Sequence, residues 1–105
     1  MRDQLFRSIL LARERVYEFG SQTPLEQFSY DGIDVFLKRE DTSLIHAYKW
    51  RGAVNLMAML GPAPAGVVTA SAGHHAQGVA LAACKLGLDA RIFMPRTTPA
   101  VKVAA

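Results

Sequence analysis

The stretch from Gly66 to Met94 constrains this chain more than any other part of it. Gly66-Val67-Val68-Thr69-Ala70 is a short, β-branched, apolar run of the kind that forms a buried strand. After the turn Ser71-Ala72-Gly73, the residues Ala76, Val79, Ala80, Ala83 and Cys84 mark one face of a helix, and Gly87 offers a left-handed cap at its end. Ala90-Arg91-Ile92-Phe93-Met94 then reads as a second strand, ended by Pro95. Strand, helix and strand in this order form a crossover unit, and such units build parallel sheets with helices on their faces.

The remaining segments agree with an α/β chain. From Tyr48 to about Leu60, apolar residues fall at Trp50, Ala53, Val54, Met57 and Leu60, a spacing that only a helix gathers on one face, and Gly61-Pro62 is expected to stop it. Ile33-Asp34-Val35-Phe36-Leu37 follows the turn pair Asp31-Gly32 and predicts a third strand, closed by Lys38-Arg39-Glu40-Asp41. Leu5, Phe6, Ile9, Leu10 and Leu11 predict an amphipathic N-terminal helix with Arg13, Glu14 and Arg15 at its wetter end, broken by Gly20-Ser21-Gln22-Thr23-Pro24. Pro99 to Ala105 reads as the opening turns of another helix. No repeat, linker or low-complexity segment is visible, and 105 residues with 50% hydrophobic and 20% charged content suit one globular domain at most.

Charge narrows the function classes. Twelve basic against nine acidic residues leave a formal charge of +3, and no window concentrates like charges as a nucleic-acid-binding segment does, so no nucleic-acid partner is expected. No apolar run reaches membrane-spanning length, and the early Asp3 with the charged Arg13-Glu14-Arg15 gives no signal or transit pattern. The single Cys84 cannot close an intrachain disulfide and suits a reducing compartment, so a cytoplasmic protein is expected.

Two features carry chemistry. Lys49, in His46-Ala47-Tyr48-Lys49-Trp50-Arg51-Gly52-Ala53, sits at the start of a predicted helix. A Schiff base needs a neutral amine, and burial against Tyr48 and Trp50, with the like charge of Arg51 nearby, would favour that form. The plain alternative is a solvated surface lysine. The turn Ser71-Ala72-Gly73-His74-His75 opens the next helix, where free N–H groups, the helix dipole and a serine hydroxyl favour a carboxylate or phosphate. Its alternative is a tight turn that glycine merely permits, with Ser71 as a cap. Lysine and turn together suggest pyridoxal-phosphate chemistry on an amino acid. The turn is neither a Walker loop nor a dinucleotide fingerprint, and His46, His74 and His75 lack the spacing of a metal site, so no metal is expected. Arg39-Glu40-Asp41 reads as a solvated or salt-bridged strand end, and Cys84 as a small core residue.

Four segments in order, Thr23-Pro24-Leu25, Leu37-Lys38-Arg39-Glu40-Asp41, His46 to Ala53, and Thr69 to Ala80, resemble the N-terminal portion of the threonine ammonia-lyases, or threonine dehydratases. The resemblance implies an incomplete N-terminal part of the tryptophan-synthase-β-like, fold type II architecture, with residues 1–105 forming a partial catalytic domain. It implies a pyridoxal 5'-phosphate enzyme that converts L-threonine to 2-oxobutanoate and ammonia, in isoleucine biosynthesis or threonine catabolism, as a homo-oligomer. Lys49 falls on the lysine that holds the cofactor and moves protons at the substrate α-carbon, while Ser71 and Gly73 fall on the turn that holds the substrate carboxylate. Serine racemase and the serine or hydroxyaspartate dehydratases share these motifs, which brings in L-serine as a substrate. A non-catalytic remnant or interaction module is the alternative outside the enzymes.

Three departures from the family pattern bear on activity. Ala47-Tyr48 replaces the usual Ser-Phe before the lysine, a mild change. His74 stands where the family places an asparagine against the cofactor's phenolic oxygen; an imidazole donates one N–H as an amide does, from a larger ring. The glycine-rich phosphate cup of the family has no counterpart after Met94, so this chain by itself is expected not to hold the cofactor tightly or turn over, and to expose the apolar faces of Val79, Leu81 and Phe93. If His74 weakens or displaces the cofactor, a His74→Asn variant binds pyridoxal phosphate more tightly than the parent in a spectrophotometric titration; equal affinities would show that the imidazole substitutes fully for the amide.

Overall fold

A computed structural model describes residues 1–61 and 65–105 of the chain. In order, helix α1 covers Arg2–Phe19, strands β1 and β2 cover Leu25–Tyr30 and Ile33–Lys38, and a single 3-10 turn covers Glu40–Thr42. Helix α2 (Lys49–Met59), strand β3 (Val67–Ala70), helix α3 (His74–Leu86), strand β4 (Ala90–Phe93) and the short helix α4 (Ala100–Ala104) complete it. Pro62, half of the stop expected for α2, lies outside the described residues.

The β3-α3-β4 crossover forms as the sequence predicts. The two strands pair in parallel with Val67 opposite Ala90 and Ala70 opposite Phe93. α3 ends on Gly87 at φ 66° and ψ 33°, and the N–H of Leu88 reaches back to the carbonyl of Ala83 at 2.9 Å. That geometry is the left-handed cap that glycine adopts without strain. The third expected strand does not join this sheet. β2 instead pairs antiparallel with β1, a strand the sequence reading did not identify, and among the described residues each sheet has two strands. Asp31 and Gly32 both have positive φ, 49° and 73°, which is the twist a two-residue hairpin turn requires.

One small core organises the molecule. Trp50, Ala53, Val54 and Met57 of α2 pack on Val79, Ala82 and Ala83 of α3, and Val16 of α1 closes the side. Trp50 is 1% exposed and its ring edge fills the place where a side chain on Gly20 would stand, only 2.5 Å from a Cβ built there. The tightest approach is between the helices. A Cβ on Gly78 would lie 3.1 Å from the carbonyl oxygen of Lys49 and 3.2 Å from the Cα of Trp50, so glycine here lets α3 ride directly on the first turn of α2.

Several expected core positions face outward. The stripe Leu5, Phe6, Ile9, Leu10 and Leu11 on α1 is 46–63% exposed, because α1 joins the core near its end, where Val16 and Phe19 pack and Arg15 and Tyr17 hydrogen-bond to α2. Leu60, Ala80 and Cys84 are likewise exposed, the core-facing side of α3 having rotated onto Ala76, Gly78, Val79, Ala82 and Ala83. Of the three residues expected to be bared, Phe93 is exposed, Leu81 is half-buried and Val79 is buried against α2.

The surface total expresses the same openness. The chain exposes 7953 Å², whereas a compact monomer of this length exposes about 5,800 Å². Its radius of gyration is 16.2 Å, against about 13 Å for a close-packed domain. Two two-stranded sheets with free edges and bare faces do not make independent cores. Expressed alone, the chain is therefore expected to be poorly soluble or partly folded, binding a hydrophobic dye and melting broadly by Trp50 fluorescence; a sharp cooperative melt of a monomer would contradict this.

Candidate active site

Lys49 is the first residue of α2, and Gly78 sits one turn inside α3. Their contact therefore brings the start of α2 and the opening of α3 onto one rim. A cleft of about 620 Å³ opens beside that rim, lined by Lys49 and Tyr48 from α2's start, His75 and Val79 from α3, Thr69 from β3, and the apolar side chains Leu56, Met57 and Leu60. Ser71, Gly73 and His74 do not line this cleft; they form the turn at its edge. From the sequence His75 was weighed only as a metal ligand, and Thr69 only as a strand residue within a resembling segment; neither was assigned to the site.

The expected burial of Lys49 is not observed. Lys49 and Tyr48 are both exposed, and only Trp50 of the three is inside. Successive helical side chains point about 100° apart, so seating Trp50 in the core turns Lys49 outward. Its ammonium lies 5.1 Å from the centre of the Tyr48 ring, a cation–π contact. Arg51 does not face Lys49 as an unpaired charge either. Its guanidinium meets the Glu40 carboxylate with two bonds, Nε to Oε2 at 3.1 Å and Nη2 to Oε1 at 3.0 Å. It also donates to the Tyr17 hydroxyl at 3.2 Å and to Thr23 Oγ1 at 3.3 Å.

The turn before α3 leaves backbone donors open to solvent. Gly73 is the N-cap, in extended backbone at φ −134°, and no side chain caps the helix. Ser71 is not the cap; its Oγ accepts the N–H of Gly73 at 3.2 Å, which leaves its own hydroxyl proton to donate outward. The carbonyl of Gly73 takes the N–H groups of Ala76 and Gln77, so the N–H groups of His74 and His75 remain the free donors of the first turn. A Cβ on Gly73 would meet nothing within 4 Å. Neither dihedral angles nor packing among the described residues demand glycine there; what the missing side chain provides is open access to the turn.

This donor set fits the two ends of an amino-acid cofactor complex: an amine for an aldehyde, and a positive helix mouth with a hydroxyl for a carboxylate. His74 and His75 are exposed at the same mouth. Among the described residues no three His, Cys, Asp or Glu side chains converge as metal ligands, and no helix is long and apolar enough to cross a membrane.

Comparison with known proteins gives the family. Residues 16–105 match the model of the pyridoxal-phosphate dependent enzyme family, and the chain belongs to that family. More particularly, it is 46% identical over 97 residues to the L-threonine dehydratase biosynthetic IlvA of Pasteurella multocida, an alignment that covers 87% of this chain and 19% of that protein. Among solved structures, maize serine racemase superposes with a TM-score of 0.87 at 38% identity, over 93% of this chain and 32% of that one. A threonine deaminase from T.th. superposes with a TM-score of 0.75 at 34% identity, over 86% and 33%. The chain thus spans about a fifth of the curated relative and a third of the solved chains.

The salt-bridged reading of Arg39-Glu40-Asp41 holds, with Arg39 bonded to Glu26 at 2.6 Å and to Asp41 at 2.7 Å. For Glu40, partial burial pushes the carboxyl up, but the hydrogen bonds from Arg51 and Thr23 outweigh it and hold it below the ordinary 4.5. A carboxylate lowered in this way adds stability above its unfolded pKa and loses it as pH falls through the folded one. Acidification from neutrality should leave the Glu40–Arg51 contact intact down to about pH 4.5 and release it below; a carboxyl NMR titration of Glu40 with a midpoint above that value would contradict the assignment.

Proposed function

We propose that this chain is the N-terminal segment of a pyridoxal-phosphate-dependent threonine ammonia-lyase, which converts L-threonine to 2-oxobutanoate and ammonia in amino-acid biosynthesis. The observation that supports the proposal is the seating of Gly78 on the Lys49 carbonyl, which brings the start of α2, where Lys49 lies, against the first turn of α3, whose opening we read as the carboxylate site. The threonine dehydratase and threonine deaminase relatives support the choice of reaction.

In this reading Lys49 holds the cofactor through its amine and then moves the proton at the substrate α-carbon. Bound pyridoxal phosphate supplies an electron sink for the pair left at that carbon. Ser71, through its free hydroxyl proton, and the open turn at Gly73 hold the substrate carboxylate against the helix mouth. His74 contributes an N–H toward the cofactor ring. The phosphate needs charge-assisted donors beyond these, so we place turnover in a longer polypeptide that completes the site, as a homo-oligomer in the cytoplasm, with the 105-residue chain inactive by itself. The likeness to maize serine racemase favours L-serine as the second substrate reading.

The test is direct. The chain is mixed with pyridoxal phosphate, reduced with borohydride and mapped by mass spectrometry. Lys49 is expected to carry the label in preference to Lys38, Lys85 and Lys102. Label spread evenly over the four lysines would remove the basis of the proposal.

A further inference from the structure

The Glu40–Arg51 pair stands apart from the other ion pairs among the described residues. Its side chains are 19% and 22% exposed, whereas Arg39 and its partners Glu26 and Asp41 are 35%, 50% and 59% exposed. The pair also ties together segments far apart in the chain. Glu40 begins the 3-10 turn after β2, Arg51 lies in the first turn of α2, and Thr23, buried just before β1, donates its hydroxyl to Glu40 Oε1 at 2.8 Å. Tyr17, near the end of α1, is the fourth member through its hydroxyl on Arg51.

We propose that the Glu40–Arg51 pair, completed by Thr23, is a positioning device that fixes the first turn of α2 and so aims Lys49 across the opening of α3. The inference rests on the functional reading above and gives these residues a positioning role in it, exerted through the first turn of α2. Lys49 lies two positions before Arg51, and its own side chain leans on the Tyr48 ring. The first turn of a helix is also where backbone bonds are fewest and fraying is easiest. α2 has no side-chain cap at Tyr48, and none of the first-turn residues is acidic. Gly78 holds this turn from one side by contact alone. Two parallel bonds from a planar guanidinium to a carboxylate fix direction as well as distance, which a lysine in place of Arg51 could not do. The pair therefore supplies the orientation that the missing cap does not.

Two measurements on the intact chain test this, one of them free of cofactor. Amide exchange of Ala53, whose N–H closes the first helical bond onto Lys49, is followed without pyridoxal phosphate; the borohydride-trapped adduct at Lys49 is then quantified against that at Lys102. In Glu40→Gln and in Arg51→Lys, exchange at Ala53 is expected to speed up about tenfold and the Lys49 adduct to fall about tenfold toward the Lys102 level, with Val79–Ala83 protection in α3 unchanged. Arg39→Gln, which breaks shorter but more exposed pairs on the same segment, is expected to change neither. An unchanged adduct in Glu40→Gln, an equal loss in Arg39→Gln, or simultaneous loss of α3 protection would overturn the positioning role. A parent chain that shows no preference for Lys49 would overturn the functional reading first, before any variant is compared.

Discussion

The close crossing of α3 over the first turn of α2 is the contact on which the rest of the structure depends. A residue without a side chain suits it, since a Cβ at Gly78 would stand 3.1 Å from the Lys49 carbonyl oxygen and push the two backbones apart by a few tenths of an ångström. The crossing seats Val79, Ala82 and Ala83 against Trp50, Val54 and Met57, which makes the core of the chain. The same geometry brings the backbone of Lys49, the first residue of α2, against the first turn of α3. Packing and site are therefore two results of a single helix contact, and a substitution that spreads the helices would disturb both.

Around this core the chain is open. α1 projects its apolar stripe into solvent, the β1-β2 hairpin is exposed on both faces, and the two-stranded β3-β4 sheet carries Val68 and Phe93 at 70% and 64% exposure. Apolar area of this extent is costly to leave in water. It is consistent with a segment spanning a fifth of its curated relative.

Some of this was legible in the residues. The β3-α3-β4 unit, the cap at Gly87 and the buried stripe of α2 follow from local periodicity and glycine chemistry. The hairpin partner was missed although Asp31-Gly32 is the dipeptide such turns favour, because Leu25-Glu26-Gln27-Phe28-Ser29-Tyr30 has no buried face to set up a clear alternation. Cys84 and Ala80 were placed on the wrong side of α3 because small residues occur all around that helix and do not by themselves mark which side meets α2. The stripe on α1 is real as a pattern, but a pattern states which face wants burial, not whether a partner is within reach.

The sequence alone determined the order of the helices and of three of the four described strands, the lysine and the glycine turn at the starts of two successive helices, and the enzyme family these imply, because each rests on residue types at short spacing. The tertiary structure alone decided that the two helix starts share a rim, that Lys49 points outward while Trp50 points in, and that Arg51 answers to Glu40 across the chain. Those outcomes depend on which faces of distant segments meet, and a contact between residues far apart in the chain leaves no periodic trace in either segment.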